Sequence, residues 1–136
     1  MPLIRQMIKS ARQAEGRLDT ILSERNLTVT KLLTLRHLEE SPEAVSLGNL
    51  ASCMAFAKSN ATQLIDNLES AGLVARRPSP DDRRCTEVVL TKEGRRMLES
   101  GSQAVRPLAE KIESLYTEDE RRQFVDYLTR LSGELL

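Results

Sequence analysis

A mainly α-helical chain carrying one small β-hairpin is what the sequence predicts, and three observations predict it. Apolar residues recur at steps of three and four through most of the 136 residues. Between residues 73 and 90 that rhythm gives way to two short runs around a polar turn. Each change of rhythm coincides with a residue suited to start or stop a helix: Thr28, Pro42, Ser46, Gly72, Thr91 and Thr117.

The first stretch places Leu3, Ile4, Met7, Ile8, Ala11, Ala14, Leu18, Ile21 and Leu22 on one side of a single amphipathic helix. Leu27-Thr28 offers a cap for a second helix bearing Val29, Leu32, Leu33, Leu35 and Leu38. Pro42 ends it, because proline disfavours helix at the residue before it. Ser46 caps a short third helix with Leu47, Leu50, Ala51 and Met54. A fourth runs from about Lys58 to Ala71 with Ala61, Leu64, Ile65 and Leu68 inward, and Gly72 stops it in the left-handed conformation. Leu73–Arg77 and Thr86–Leu90 read as strands flanking the turn cluster Pro78-Ser79-Pro80-Asp81-Asp82. Thr91 starts a long helix, which Gly101 and Pro107 are expected to weaken or kink. Thr117-Glu118-Asp119-Glu120 caps a last helix with Phe124, Val125, Tyr127, Leu128 and Leu131 along one side.

Composition narrows the function. Four aromatic residues and no Trp leave no stacking platform for single-stranded nucleic acid. The longest apolar run, Cys53 to Ala57, is far short of the roughly 20 residues that span a bilayer, so no membrane association is expected. The first residues carry charge early and show no secretory signal. Cys53 and Cys85 lie 32 positions apart, no Cys/His cluster has zinc spacing, and there is one histidine and no Gly-rich phosphate loop. A metal-free, cofactor-free, non-enzymatic, cytoplasmic protein is expected.

Twenty Lys and Arg balance twenty Asp and Glu, which by itself argues against a partner made of phosphates. Along the chain, however, the charge is segregated. Residues 1–38 are net +4, 39–56 net −3, 57–96 net +2 and 97–136 net −3. Neutrality is a cancellation between basic segments and acidic segments.

Short helix, tight turn, second helix and hairpin form a winged helix-turn-helix, in which the second helix enters the major groove N-terminus first. Leu50-Ala51, Lys58-Ser59-Asn60-Ala61-Thr62, Leu64-Ile65-Asp66-Asn67-Leu68-Glu69 and Gly72-Leu73-Val74 occur in that order. They are followed by Asp82-Arg83-Arg84 and Leu90-Thr91-Lys92-Glu93-Gly94-Arg95. On these residues the chain resembles MarR-type regulators over nearly its whole length. The resemblance implies a homodimeric bacterial, nucleoid-associated regulator, usually a repressor. It would bind a pseudo-palindromic operator in double-stranded DNA and be released by a small phenolic or lipophilic effector. It implies three parts: residues 1–26 as an N-terminal dimerisation helix, 27–96 as the DNA-binding region and 97–136 as C-terminal dimerisation helices. The chain departs from the family at Ala55 and Ala57, where a glycine and a serine cap are usual, and at Gln63 and Asn67, where bases are usual.

The resemblance puts Arg84 at the wing tip, in the minor groove, where arginine favours narrow electronegative grooves. Asp82 would hold its guanidinium, since residues two apart on an extended chain point to one side. Arg76, Arg77 and Arg83 are expected on phosphates. Ser59, Asn60 and Gln63 are expected on base edges, Asn and Gln suiting adenine, with Lys58 and Thr62 on phosphates. Arg12, Arg17 and His37 are the candidates for an effector's anionic or phenolic group. Two alternatives remain open. One is redox control through Cys85, beside arginines that would favour its thiolate, or through Cys53; the other is a winged module that binds protein and not DNA.

Overall fold

The computed structural model describes residues 1–54 and 58–135, with the backbone alone at Lys58. Ala55 and Ala57, where the chain departs from the family, lie outside the described residues, as does the side chain of Lys58. The chain forms two compact units, Met1–Ala104 and Val105–Leu136.

In the first unit, α1 (Pro2–Leu22) begins with proline at a position whose N–H has no helical acceptor, and a 3-10 turn (Ser23–Arg25) follows it. Asn26 then reverses the chain at φ 54°, in the left-handed region that asparagine tolerates. The helix α2 (Val29–Glu40) is capped as expected: Thr28 Oγ1 accepts from Lys31 N at 3.2 Å. From α1, Asp19 Oδ1 accepts from Val29 N at 2.7 Å, a second bond at the same helix start. Ser46 Oγ accepts from Asn49 N at 3.1 Å and starts α3 (Leu47–Cys53).

The helix α4 (Lys58–Ser70) ends in a two-bond motif. Gly72 N donates to Glu69 O at 2.9 Å and Leu73 N to Leu68 O at 2.9 Å, with Gly72 at φ 76°. Leu73, expected as the first residue of a strand, is consumed by this cap, so the strand begins one residue later.

The sheet has three antiparallel strands in the order β1 (Val45–Ser46), β3 (Thr86–Leu90), β2 (Val74–Pro78). The hairpin β2–β3 was legible; β1 was not, because two residues cannot display an alternation. Val45 lies opposite Val88 on β3, and both are buried. Leu22, Leu35, Leu50, Ile65, Leu68, Val74 and Val88 form the centre of the core.

The long helix α5 (Lys92–Glu113) starts at Thr91, whose Oγ1 accepts from Gly94 N at 3.0 Å and donates to Gly72 O at 2.6 Å. It runs as uninterrupted helix through Gly101 and Pro107. Gly101 is buried, and glycine suits the position because a side chain there would meet Leu32 Cδ1 at 2.8 Å and Leu27 Cδ1 at 3.0 Å. In the second unit, α6 (Glu118–Leu135) opens with a reciprocal capping box: Thr117 Oγ1 accepts from Glu120 N, and Glu120 Oε1 accepts from Thr117 N. None of its described residues is buried.

Two glycines test this packing with one substitution of opposite sign. Gly94→Ala drives a methyl against Leu73 O and to 2.7 Å from Leu90 Cδ1, so a loss of about 1–3 kcal/mol is expected in urea denaturation. Gly16→Ala, in open space on exposed α1, is expected to gain about 0.5–1 kcal/mol from helix propensity.

Candidate nucleic-acid interface

A helix of thirteen residues has room for three lengthwise sectors, and α4 uses each differently. Ala61, Ile65 and Leu68 are buried and dock the helix on the core. Ser59, Asn60 and Gln63, the candidates for base edges, are exposed on a second sector together with Asn67. Thr62, Asp66 and Glu69 form the third, which faces β2.

That third sector captures Arg76. Its guanidinium forms ion pairs with Asp66 and, at 2.9 Å, with Glu69, and Nη2 donates to Thr62 O at 3.4 Å. Glu69 Oε2 also accepts from Arg76 N at 3.0 Å, filling the open backbone edge of an outer strand. Burial pulls the Arg76 pKa down, but the hydrogen bonds and charges of Asp66 and Glu69 outweigh it and hold the guanidinium above the usual arginine value. Arg76 was expected on phosphate; its side chain is 23% exposed, and Nη1, Nη2 and the backbone N–H all donate to α4. Strand alternation explains this: Arg76 shares a sheet face with buried Val74, and Arg77 takes the other face.

Arg77 is exposed and pairs with Glu87, its cross-strand neighbour, Nε to Oε2 at 3.1 Å. Thr62, also assigned to phosphate, is half-buried and lends its carbonyl to Arg76.

At the wing tip the chain turns; it is not extended as the reasoning for Asp82 assumed. Cys85 N donates to Asp82 O at 3.0 Å and Ser79 N to Cys85 O at 2.9 Å. The Asp82 carboxylate accepts from Arg84 N at 2.9 Å, so Asp82 shapes the backbone under Arg84 and does not grip its guanidinium. Cys85 Sγ lies 3.8 Å from Asp82 Oδ2, so its polar partner is a carboxylate and not an arginine. Arg83 and Arg84 are exposed and, among the described residues, enter no ion pair or side-chain hydrogen bond within the chain. Three arginines expected on phosphates and one expected in the minor groove thus divide into two with carboxylate partners, Arg76 and Arg77, and two exposed near the tip, Arg83 and Arg84.

Arg12 and Arg17 are exposed on α1, His37 is half-buried on α2, and no hydrogen bond or ion pair among the described residues links them. The sequence reading missed Glu69 and Asp66 as partners. Their spacing of three on a helix facing a strand arginine is the signal that was present.

Three helices on a small sheet, with α4 exposed beside an arginine-tipped hairpin, define a winged helix-turn-helix protein. Residues 25–84 match the family model described as MarR family. The chain is 30% identical to the HTH-type transcriptional regulator YhbI of Bacillus subtilis over 118 residues, 87% of this chain and 73% of that protein. It is 31% identical to YdgJ, another such regulator of Bacillus subtilis, over 106 residues, 77% of this chain and 62% of YdgJ. The chain therefore belongs to the MarR family of transcriptional regulators.

Among solved structures, BldR from Sulfolobus solfataricus superposes with TM-score 0.87 at 25% identity, covering 98% of this chain and 94% of that one. CouR from Rhodococcus jostii, bound to p-coumaroyl-CoA, gives 0.84 at 25%, over 93% and 88%. A mutant MarR from Escherichia coli complexed with operator DNA shares the fold at TM-score 0.86 and 24%, over 96% and 94%.

If Asp82 shapes the wing tip through the Arg84 amide, Asp82→Ala speeds hydrogen exchange at that amide several-fold in NMR. The global unfolding free energy should move by less than about 0.5 kcal/mol, as for other exposed sites.

Proposed function

We propose that the chain is a sequence-specific double-stranded DNA-binding regulator, a repressor released from its operator by a small molecule. One observation carries the reading: α4 exposes Ser59, Asn60 and Gln63 while the hairpin that follows it offers Arg83 and Arg84 without internal partners. A helix of small polar side chains suits the major groove, and arginines at a turn suit the minor groove or its phosphates. The mutant MarR–operator complex has the same fold, and CouR is a relative in structure that holds p-coumaroyl-CoA, a molecule with a phenolic end.

A homodimer belongs to the same reading. Leu3, Ile4 and Ile8 on α1, and Phe124, Val125, Tyr127 and Leu128 on α6, are exposed. Apolar faces of this size are unfavourable in water, and a second copy covers them most simply. The dimerisation segments are then residues 1–26 and 97–136 around the DNA-binding region 27–96. Two recognition helices related by a two-fold axis read a pseudo-palindrome with half-sites about one helical turn, roughly 34 Å, apart. Among the described residues no helix is long and apolar enough to cross a membrane, which accords with action on DNA in the cytoplasm. Arg12, Arg17 and His37 stay assigned to the effector.

Selection from random duplex DNA identifies the operator, and light scattering should give about twice the chain mass of 15.3 kDa. Against the selected duplex, Asn60→Ala is expected to cost about 1–3 kcal/mol and to relax specificity at one position, whereas Arg84→Ala weakens binding and lowers the salt slope by about one per site contacted. Affinity unchanged in both variants refutes the assigned contacts. No enrichment of any duplex refutes DNA binding and favours a protein-binding module.

A further inference from the structure

Arg76 stands at the base of the wing, two residues before Pro78 and the turn that carries Arg83 and Arg84. Its fork reaches the exposed α4 by two carboxylates and a carbonyl, and its backbone N–H reaches the same Glu69. The bonds therefore run from one DNA-facing element to the other. Ile65 and Leu68 on α4 and Val74 on β2 are buried as well, and apolar burial is not directional.

Stability does not account for this arrangement. Asp66 and Glu69 are 56% and 42% exposed, and ion pairs that exposed contribute little to folding. What a planar fork on three acceptors does supply is direction: it holds β2 at one angle and one register against α4. Thr62, Asp66 and Glu69 lie on the α4 sector next to Ser59 and Gln63, so a shift of the clamp displaces the reading face relative to the wing tip.

We propose that Arg76 is a positioning residue that sets the wing against the recognition helix through Asp66 and Glu69, and so determines how sharply the protein discriminates its operator from other DNA without touching DNA itself. The proposal rests on the DNA-binding reading above. It distinguishes Arg76 from Arg83 and Arg84, which act on DNA directly.

The test uses the full-length protein, the duplex it selects from random DNA, and a scrambled duplex of the same composition, each titrated across salt concentrations. Arg76→Lys keeps the charge and loses the fork. The ratio of affinities for selected and scrambled duplex is expected to fall about tenfold, the size of one lost base-pair readout, with the slope of log affinity against log salt unchanged. Asp66→Asn with Glu69→Gln keeps Arg76 and removes its acceptors, and the same fall in the ratio is expected. An undiminished ratio in both overturns the proposal. So does a ratio kept in Arg76→Lys with a salt slope lowered by about one per contact in Arg76→Gln, the signature of a phosphate contact. A native protein that enriches no duplex overturns the DNA-binding reading and this role with it. Enrichment by the native protein, joined to undiminished discrimination in the variants, overturns the positioning role alone.

Discussion

Thr91 is the joint on which the winged unit closes. Its N–H donates to Leu73 O, its hydroxyl donates to Gly72 O, and the same oxygen accepts from Gly94 N as the first cap of α5. One residue thus ends β3, starts the long helix and fastens both to the turn that terminates α4. The fit requires Gly94, since a methyl there would collide with the Leu73 carbonyl. With this joint made, the hairpin is bound at its root and only its tip stands out. The end of α4, the end of β3 and the start of α5 all meet at it.

Above that joint, charge is distributed by strand geometry. Neighbouring arginines on β2 are separated by the pleat: Arg76 turns toward α4 and is enclosed by carboxylates, Arg77 turns outward and meets Glu87 across the strand. The next two arginines fall in the turn, where no cross-strand neighbour exists, and stay available. A zero net charge is compatible with DNA binding for this reason. Asp66, Glu69 and Glu87 neutralise the arginines that build the wing, whereas Arg83 and Arg84 at its tip form no ion pair among the described residues.

Much of this was legible in the residues. Thr28, Ser46, Gly72 and Thr117 announced the helix ends at which they are found, because caps are local: the donor or acceptor lies within a few residues of the side chain that satisfies it. The exposed sector of α4 was legible as well, since helical spacing separates Ser59, Asn60 and Gln63 from Ala61, Ile65 and Leu68. The site failed to be legible wherever partners came from distant segments. β1 exists only because Val45 and Ser46 meet β3 some forty residues later. Asp82 was paired with the wrong group of Arg84 because extended geometry was assumed where Ser79 and Cys85 close a turn.

By itself the sequence determined the succession of helices and the hairpin, most of their ends and the family resemblance, all set by short-range hydrogen bonding and by the period of the apolar pattern. Only the tertiary structure decided which of the candidate residues are free to act. Arg76 and Arg84 are the same side chain in the same short segment, and their fates differ because one faces a helix bearing two carboxylates and the other faces solvent. Availability of a charge is a property of what lies within a few ångströms in space, and along this chain those neighbours are seven to ten residues away.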